Sequence, residues 1–84
     1  MIITIKLFAT LRESLGEAEF LLELTEEDNN VASVKKVLSS RGYEWKDALN
    51  QPNLVHALNH KVVFTDAVVA DGDELAFFPP MTGG

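Results

Sequence analysis

Only one stretch of this chain carries an unbroken helical stripe, and nearly everything apolar around it alternates at period two. Val31, Val34 and Leu38 recur at i, i+3 and i+7, Val37 widens the stripe, and Lys35, Lys36, Ser39 and Ser40 fill the wet side. Asn29 or Asn30 is placed to cap the start, with Arg41 in the last turn and Gly42 as the stop. A lone long helix among short strands leaves few options. It must cover one face of a sheet, because nothing else in the chain can bury both apolar surfaces.

The strands follow from the alternation. In residues 2–8, Ile3, Ile5 and Leu7 face one way, and Ile2, Thr4, Lys6 and Phe8 the other. A connection of mixed character breaks at Gly16. Residues 19–24 then place Phe20, Leu22 and Leu24 inward and Glu19 and Glu23 outward, so the first two strands should form an antiparallel hairpin. From Tyr43 to Asn53 no period is clear; Trp45, Ala48 and Leu49 suit a short helical turn before Pro52. Val55 to Asn59 and Val62 to Thr65 read as short strands meeting at a turn on Asn59-His60, and Ala67 to Ala70 as a further extended piece. Asp71-Gly72-Asp73 signals a turn into the last strand, Glu74 to Phe78. Leu75 and Phe77 share one face of that strand; Glu74, Ala76 and Phe78 share the other. Strand, strand, helix, short strands, strand is the order of an α+β β-grasp, the ubiquitin-like fold, expected over residues 1–78 with a flexible tail at 79–84.

Size and charge narrow the function. A chain of 84 residues buries only about 60–70% of its unfolded surface, which leaves little room for a deep catalytic cleft beside the core. Thirteen acidic against seven basic residues give a net charge of −6. That surface disfavours nucleic acid and anionic membranes and suits a partner with a basic face. The absence of cysteine removes disulfides, thiol nucleophiles and thiolate metal sites from consideration, and fits a reducing, cytoplasmic setting. No segment has the roughly 20 apolar residues of a membrane span. Met1-Ile2-Ile3-Thr4-Ile5-Lys6 lacks a basic stretch before its apolar run, so it reads as a strand rather than a signal peptide.

The most informative segment is Pro79-Pro80-Met81-Thr82-Gly83-Gly84. Two prolines cannot extend a sheet ladder and hold the exit stiff. Six residues reach about 20 Å when extended. Two glycines without Cβ atoms can thread a narrow channel. Such a tip suits one chemistry well. A carboxylate joined to AMP acquires a leaving group, and a sulfur donor displacing AMP leaves a nucleophilic thiocarboxylate, with no cysteine needed. Both steps call for a slender tail, because the reacting atoms must be enclosed and water excluded.

The ending Asp71-Gly72-Asp73-Glu74-Leu75-Ala76-Phe77-Phe78-Pro79-Pro80-Met81-Thr82-Gly83-Gly84 resembles that of the small subunits of molybdopterin synthase, with their Phe-Pro-Pro-x-Thr/Ser-Gly-Gly signature. Phe8-Ala9-Thr10-Leu11-Arg12-Glu13 is similar to the family's Phe-Ala-x-x-Arg-Glu, and Asn59 falls where the family has an Asn near a turn. The likeness spans the chain and is weakest from Gly42 to Asn53. It implies that Gly84 is adenylated by an ATP-using adenylyltransferase related to ubiquitin activators, then converted to a thiocarboxylate. Pro80, Met81, Thr82 and Gly83 would thread the active site of the large synthase subunit, within a heterotetramer. There the sulfur would pass to cyclic pyranopterin monophosphate, two charged carriers being consumed per dithiolene. The family's partner-contacting positions fall on Phe8, Arg12, Val62 and Phe78, with Val62 standing where Leu is frequent. Catalytic side chains are expected on the large subunit, and no cofactor on this chain.

Other signals are weaker. His56 and His60 lie four apart, but extended backbone sets them about 13 Å apart, too far to share a metal ion. Glu26-Glu27-Asp28 reads as a solvated loop and Trp45 as a packing residue. Three rivals share the pattern: the sulfur carrier of thiamine thiazole synthesis, a ubiquitin-like protein modifier joined to lysines through Gly84, and an inert interaction domain.

Overall fold

The computed structural model describes residues 1–80. Strand β1 (Ile2–Leu7) turns Ile3, Ile5 and Leu7 into the core, each at most 1% exposed. It pairs antiparallel with β2 (Glu19–Glu23) and parallel with β5 (Glu74–Phe78). On the far side of β5, strands β3 (Val55–Leu58) and β4 (Lys61–Val63) complete a five-stranded mixed sheet ordered β2-β1-β5-β3-β4. The opening hairpin stands where the alternation places it. The later hairpin turns at Asn59-His60 as expected, but its second strand is Lys61–Val63 instead of Val62 to Thr65. The chain bends at Phe64 and Thr65, whose carbonyl meets His56 Nε2 at 3.0 Å. This is the β-grasp arrangement, with β1 and β5 side by side at the centre. Among the described residues no helix is long and apolar enough to cross a membrane.

Three helices, rather than one, cover a single face. Helix α2 (Val31–Ser39) seats Val31, Val34 and Leu38 against the sheet. Its first turn is well served: the Asn30 side chain accepts from the Ser33 N–H at 2.8 Å, and Asp66 Oδ1 accepts from the Ala32 N–H at 2.9 Å. The helix stops before Arg41, contrary to the sequence expectation. Ser39 and Ser40 turn their hydroxyls back onto the carbonyls of Lys35 and Val37 and close the last turn. Gly42 therefore does not cap α2; it precedes α3 (Tyr43–Leu49), which supplies Ala48 and Leu49 to the core. The mixed connection after β1 is also helical: α1 (Thr10–Leu15) buries Leu11 and ends on left-handed Gly16, whose N–H reaches the Arg12 carbonyl at 2.9 Å. Ala67 to Ala70 forms no strand, only an isolated bridge between Asn30 and Val68.

Phe77, fully buried, is the largest side chain of the core, packed among Ile5, Leu7, Leu38 and Leu49 in one cluster. Side chains of this size each contribute about 1.5–3 kcal/mol on burial. Trp45 packs as expected, meeting Phe20 edge-on at 5.8 Å. Arg41, freed from the helix, lies over both rings at 4.3 and 4.7 Å and pairs with Glu17 at 3.0 Å. One cation thereby closes the seam between β2 and α3.

Candidate functional site

The parallel pairing of β1 and β5 fixes the site. Leu7 lies opposite Phe77, so both strands end at the same edge of the sheet. Phe8 follows β1 where Phe78 ends β5 and Pro79 and Pro80 leave it, and the Phe8 N–H donates to the Phe77 carbonyl at 3.2 Å. The two rings stack at 4.7 Å between centroids and 5° from parallel. Both stand on the sheet face that no helix covers, as the alternation predicts. Pro79 and Pro80 are half-buried beside the end of the strand. Met81, Thr82, Gly83 and Gly84 lie outside the described residues.

Pairing across the sheet maps the rest of this open face. Val62 sits opposite Ala57, Ala57 opposite Ala76, and Ala76 opposite Lys6. The two alanines are nearly covered by longer neighbours, which leaves a shallow apolar floor between Val62 and the Phe8–Phe78 stack. Ile2 and Leu21 extend the apolar surface at the other end, Leu21 being 70% exposed. Large exposed apolar side chains gathered on one face mark a docking surface. Alternation sets Ile2 outward and predicts the opening hairpin; what it lacks is the register, which puts Ile2 opposite Glu23 and Leu21 opposite Thr4.

Arg12 is exposed on α1, which starts two residues after Phe8 at the same end of the sheet. Among the described residues no carboxylate lies within ion-pair distance of it. The turn into α1 is strained: Ala9 holds φ +53 and ψ −128, a conformation suited to glycine.

A charged strip crosses the same face. Lys6 Nζ bridges Glu74 at 3.0 Å and Glu19 at 3.6 Å, and His60 Nδ1 approaches the other Glu74 oxygen at 3.4 Å. The hydrogen bond that Lys6 donates to Glu74, reinforced by the two negative charges, raises the Lys6 pKa above its ordinary value. Sequence reading missed this strip because it joins β2, β1 and β5 across long separations. Asn59 locks the same corner: its amide donates to Asp73 Oδ1 at 3.0 Å and its carbonyl oxygen accepts the Glu74 N–H at 2.9 Å. His56 points elsewhere, its Nε2 lying 3.0 Å from the Thr65 carbonyl oxygen.

This geometry sets Pro79 and Pro80 beside an exposed apolar face, and the chain has similar relatives. The chain is 36% identical over 77 residues to the molybdopterin synthase sulfur carrier subunit of Haemophilus influenzae, covering 92% of this chain and 93% of that one. It is 34% identical over 82 residues to the subunit of the same name in Escherichia coli, covering 98% and 99%. Among solved structures, SAMP1 of Haloferax volcanii superposes with a TM-score of 0.79 at 26% identity, each chain covered completely. The ThiS family model matches residues 5–84, from the middle of β1 through the whole tail. A β-grasp chain matched by that family model from residue 5 to residue 84, with relatives this similar along nearly its full length, belongs to the ThiS family.

Proposed function

We propose that this chain is the sulfur-carrier subunit of a molybdopterin synthase. The observation that carries the reading is the joint exit of β1 and β5, which sets Phe8 and Phe78 beside the start of the tail. Identity to two sulfur carrier subunits over nearly the whole chain supports it. In this reading an adenylyltransferase partner joins the Gly84 carboxylate to AMP, releasing pyrophosphate from ATP. Sulfur delivered at the oxidation level of hydrosulfide then attacks the acyl carbon, AMP departs with one former carboxylate oxygen, a proton is released, and a thiocarboxylate remains. The large synthase subunit docks on Phe8, Arg12, Val62 and Phe78. Pro80 to Gly83 thread its active site, and the sulfur passes to cyclic pyranopterin monophosphate. The carrier itself supplies position and a nucleophile, holds no cofactor, and works in the cytoplasm, where thiocarboxylate chemistry meets no oxidising pressure.

Intact mass tests the reaction class. Incubation with an activating enzyme, ATP and a sulfur source should raise the mass by the exchange of one oxygen for one sulfur at the C-terminus. An unchanged mass would defeat the proposal. Covalent adducts on other proteins would indicate a modifier instead. Capture of a thiazole-forming enzyme in place of a molybdopterin synthase large subunit would assign the carrier to thiamine synthesis.

A further inference from the structure

The strongest feature unused by sulfur transfer lies on the helix layer, away from the open sheet face. Of the seven lysines and arginines, Lys6 and Arg41 are held in ion pairs. Three of the others, Lys35 and Lys36 from α2 and Lys46 from α3, line one groove between these helices. Among the described residues none of the three has a carboxylate within ion-pair distance. The groove's other polar side chains are largely committed. The Ser39 hydroxyl donates to the Lys35 carbonyl at 2.7 Å, and the Asn50 amide donates to the Lys46 carbonyl at 2.6 Å. Glu44 and Asp47 line a separate depression with Ser14 and Tyr43, so α3 divides basic from acidic surface.

The groove does not end at the lysines. A second depression shares Ala32 and Lys35 with it and is walled by Leu54 and Phe64. Phe64, just past edge strand β4, is 89% exposed, the most exposed large apolar side chain among the described residues. Asp66 also borders this depression, but its Oδ1 already accepts from the Ala32 and Ala67 N–H groups. Unpaired cations at one end and an uncovered aromatic at the other form a composite surface.

We propose that this groove docks an acidic segment of a partner protein: a short run of carboxylates beside one apolar side chain. The carboxylates face Lys35, Lys36 and Lys46, and the apolar residue covers Phe64. Charge complementarity favours a short peptide over nucleic acid. The net charge of −6 repels a long polyanion wherever it leaves the groove, whereas a short segment keeps its charges within about one Debye length, ~10 Å, of the lysines. The site lies on the opposite side from the Phe8–Phe78 stack, so an occupant leaves the tail and the open sheet face accessible. A partner held here could retain the carrier while the tail reacts elsewhere. This inference does not depend on the sulfur-transfer reading.

The test is a nuclear magnetic resonance titration of the full chain with a synthetic peptide of glutamates and aspartates around a single leucine. Saturable shifts should gather at Lys35, Lys36, Lys46 and Phe64. Binding should weaken about tenfold in the Lys35→Gln, Lys36→Gln, Lys46→Gln variant and fade as salt rises. Phe64→Ala should weaken it independently. The salt series on the unaltered chain and the Phe64→Ala arm keep the test decisive even if the triple variant folds poorly. Absence of saturable shifts, shifts confined to the open sheet face, equal binding of a lysine-rich peptide, or tighter binding of a single-stranded oligonucleotide would each overturn the proposal.

Discussion

Phe8 and Phe78 lie ring on ring, 4.7 Å between centroids, although they come from opposite ends of the chain. Phe8 is exposed and Phe78 only half-buried, so beyond that partial burial the stack adds only what one aromatic pair can, about 1 kcal/mol. A residue of this kind at the centre of an interface costs 2 kcal/mol or more in binding, roughly, when truncated. Phe78→Ala should therefore weaken capture of the large subunit well beyond its effect on urea unfolding. A stability loss of about 3–5 kcal/mol, the size seen for core aromatics, would show that Phe78 belongs to the core instead.

Gly84 should be dispensable for folding and indispensable for sulfur transfer. The buried set of the described residues ends at Phe77. Deletion of Gly84 is expected to change unfolding free energy by no more than about 0.5 kcal/mol, the range of changes made outside the core. Thiocarboxylate formation, read by intact mass, should disappear. Sulfur loading of the shortened chain would overturn this expectation.

The β3–β4 turn offers a stabilising change. Asn59 and His60 both hold positive φ, +50 and +70, as a two-residue hairpin turn of type I′ requires. Asn59 suits its place, but histidine carries a Cβ where glycine is favoured. His60→Gly should raise stability by about 1 kcal/mol in urea unfolding. The exposed contact to Glu74 that it removes is worth little in return. A lower midpoint would mean that the His60–Glu74 contact outweighs the backbone strain.

Lys6 gives an alkaline signature. Its folded pKa lies above the ordinary 10.5, chiefly through the Glu74 hydrogen bond. A raised pKa on a cation means that the charged form is the one stabilised by folding. The contribution is complete below about pH 10.5 and is lost as pH climbs through the folded value. Wild type should exceed Lys6→Gln in Tm at neutral pH, and the gap should close only above that point. A gap that closes on acidification from pH 9 to 7 would have the wrong sign.

The sequence made the sheet readable wherever neighbours along the chain are neighbours in space. Ile3, Ile5 and Leu7 alternate cleanly, and both hairpins join adjacent segments. One short helix escaped, while α3 (Tyr43–Leu49) enlarges the helical turn that Trp45, Ala48 and Leu49 suggest. Helix α1 buries one residue, Leu11, opens on a residue without a capping side chain, and includes β-branched Thr10, so it shows no stripe to detect. The end of α2 was misplaced because serine hydroxyls, rather than Gly42, close its last turn. The site was half legible. Phe8 and Phe78 could be set outward from alternation alone, but their stacking depends on the parallel β1–β5 pairing, which period two does not encode. The lysines of the α2–α3 groove were equally hidden: Lys35 and Lys36 read as wet positions of one helix, and only packing brings Lys46 beside them.

The central place of β5 also has a mechanical consequence. The strand is hydrogen-bonded along both edges, to β1 and to β3, and Pro79 and Pro80 follow it directly. A pull on the chain end loads these bonds sideways and together, instead of unzipping them one after another. The body can thus hold its shape against a load applied along this strand.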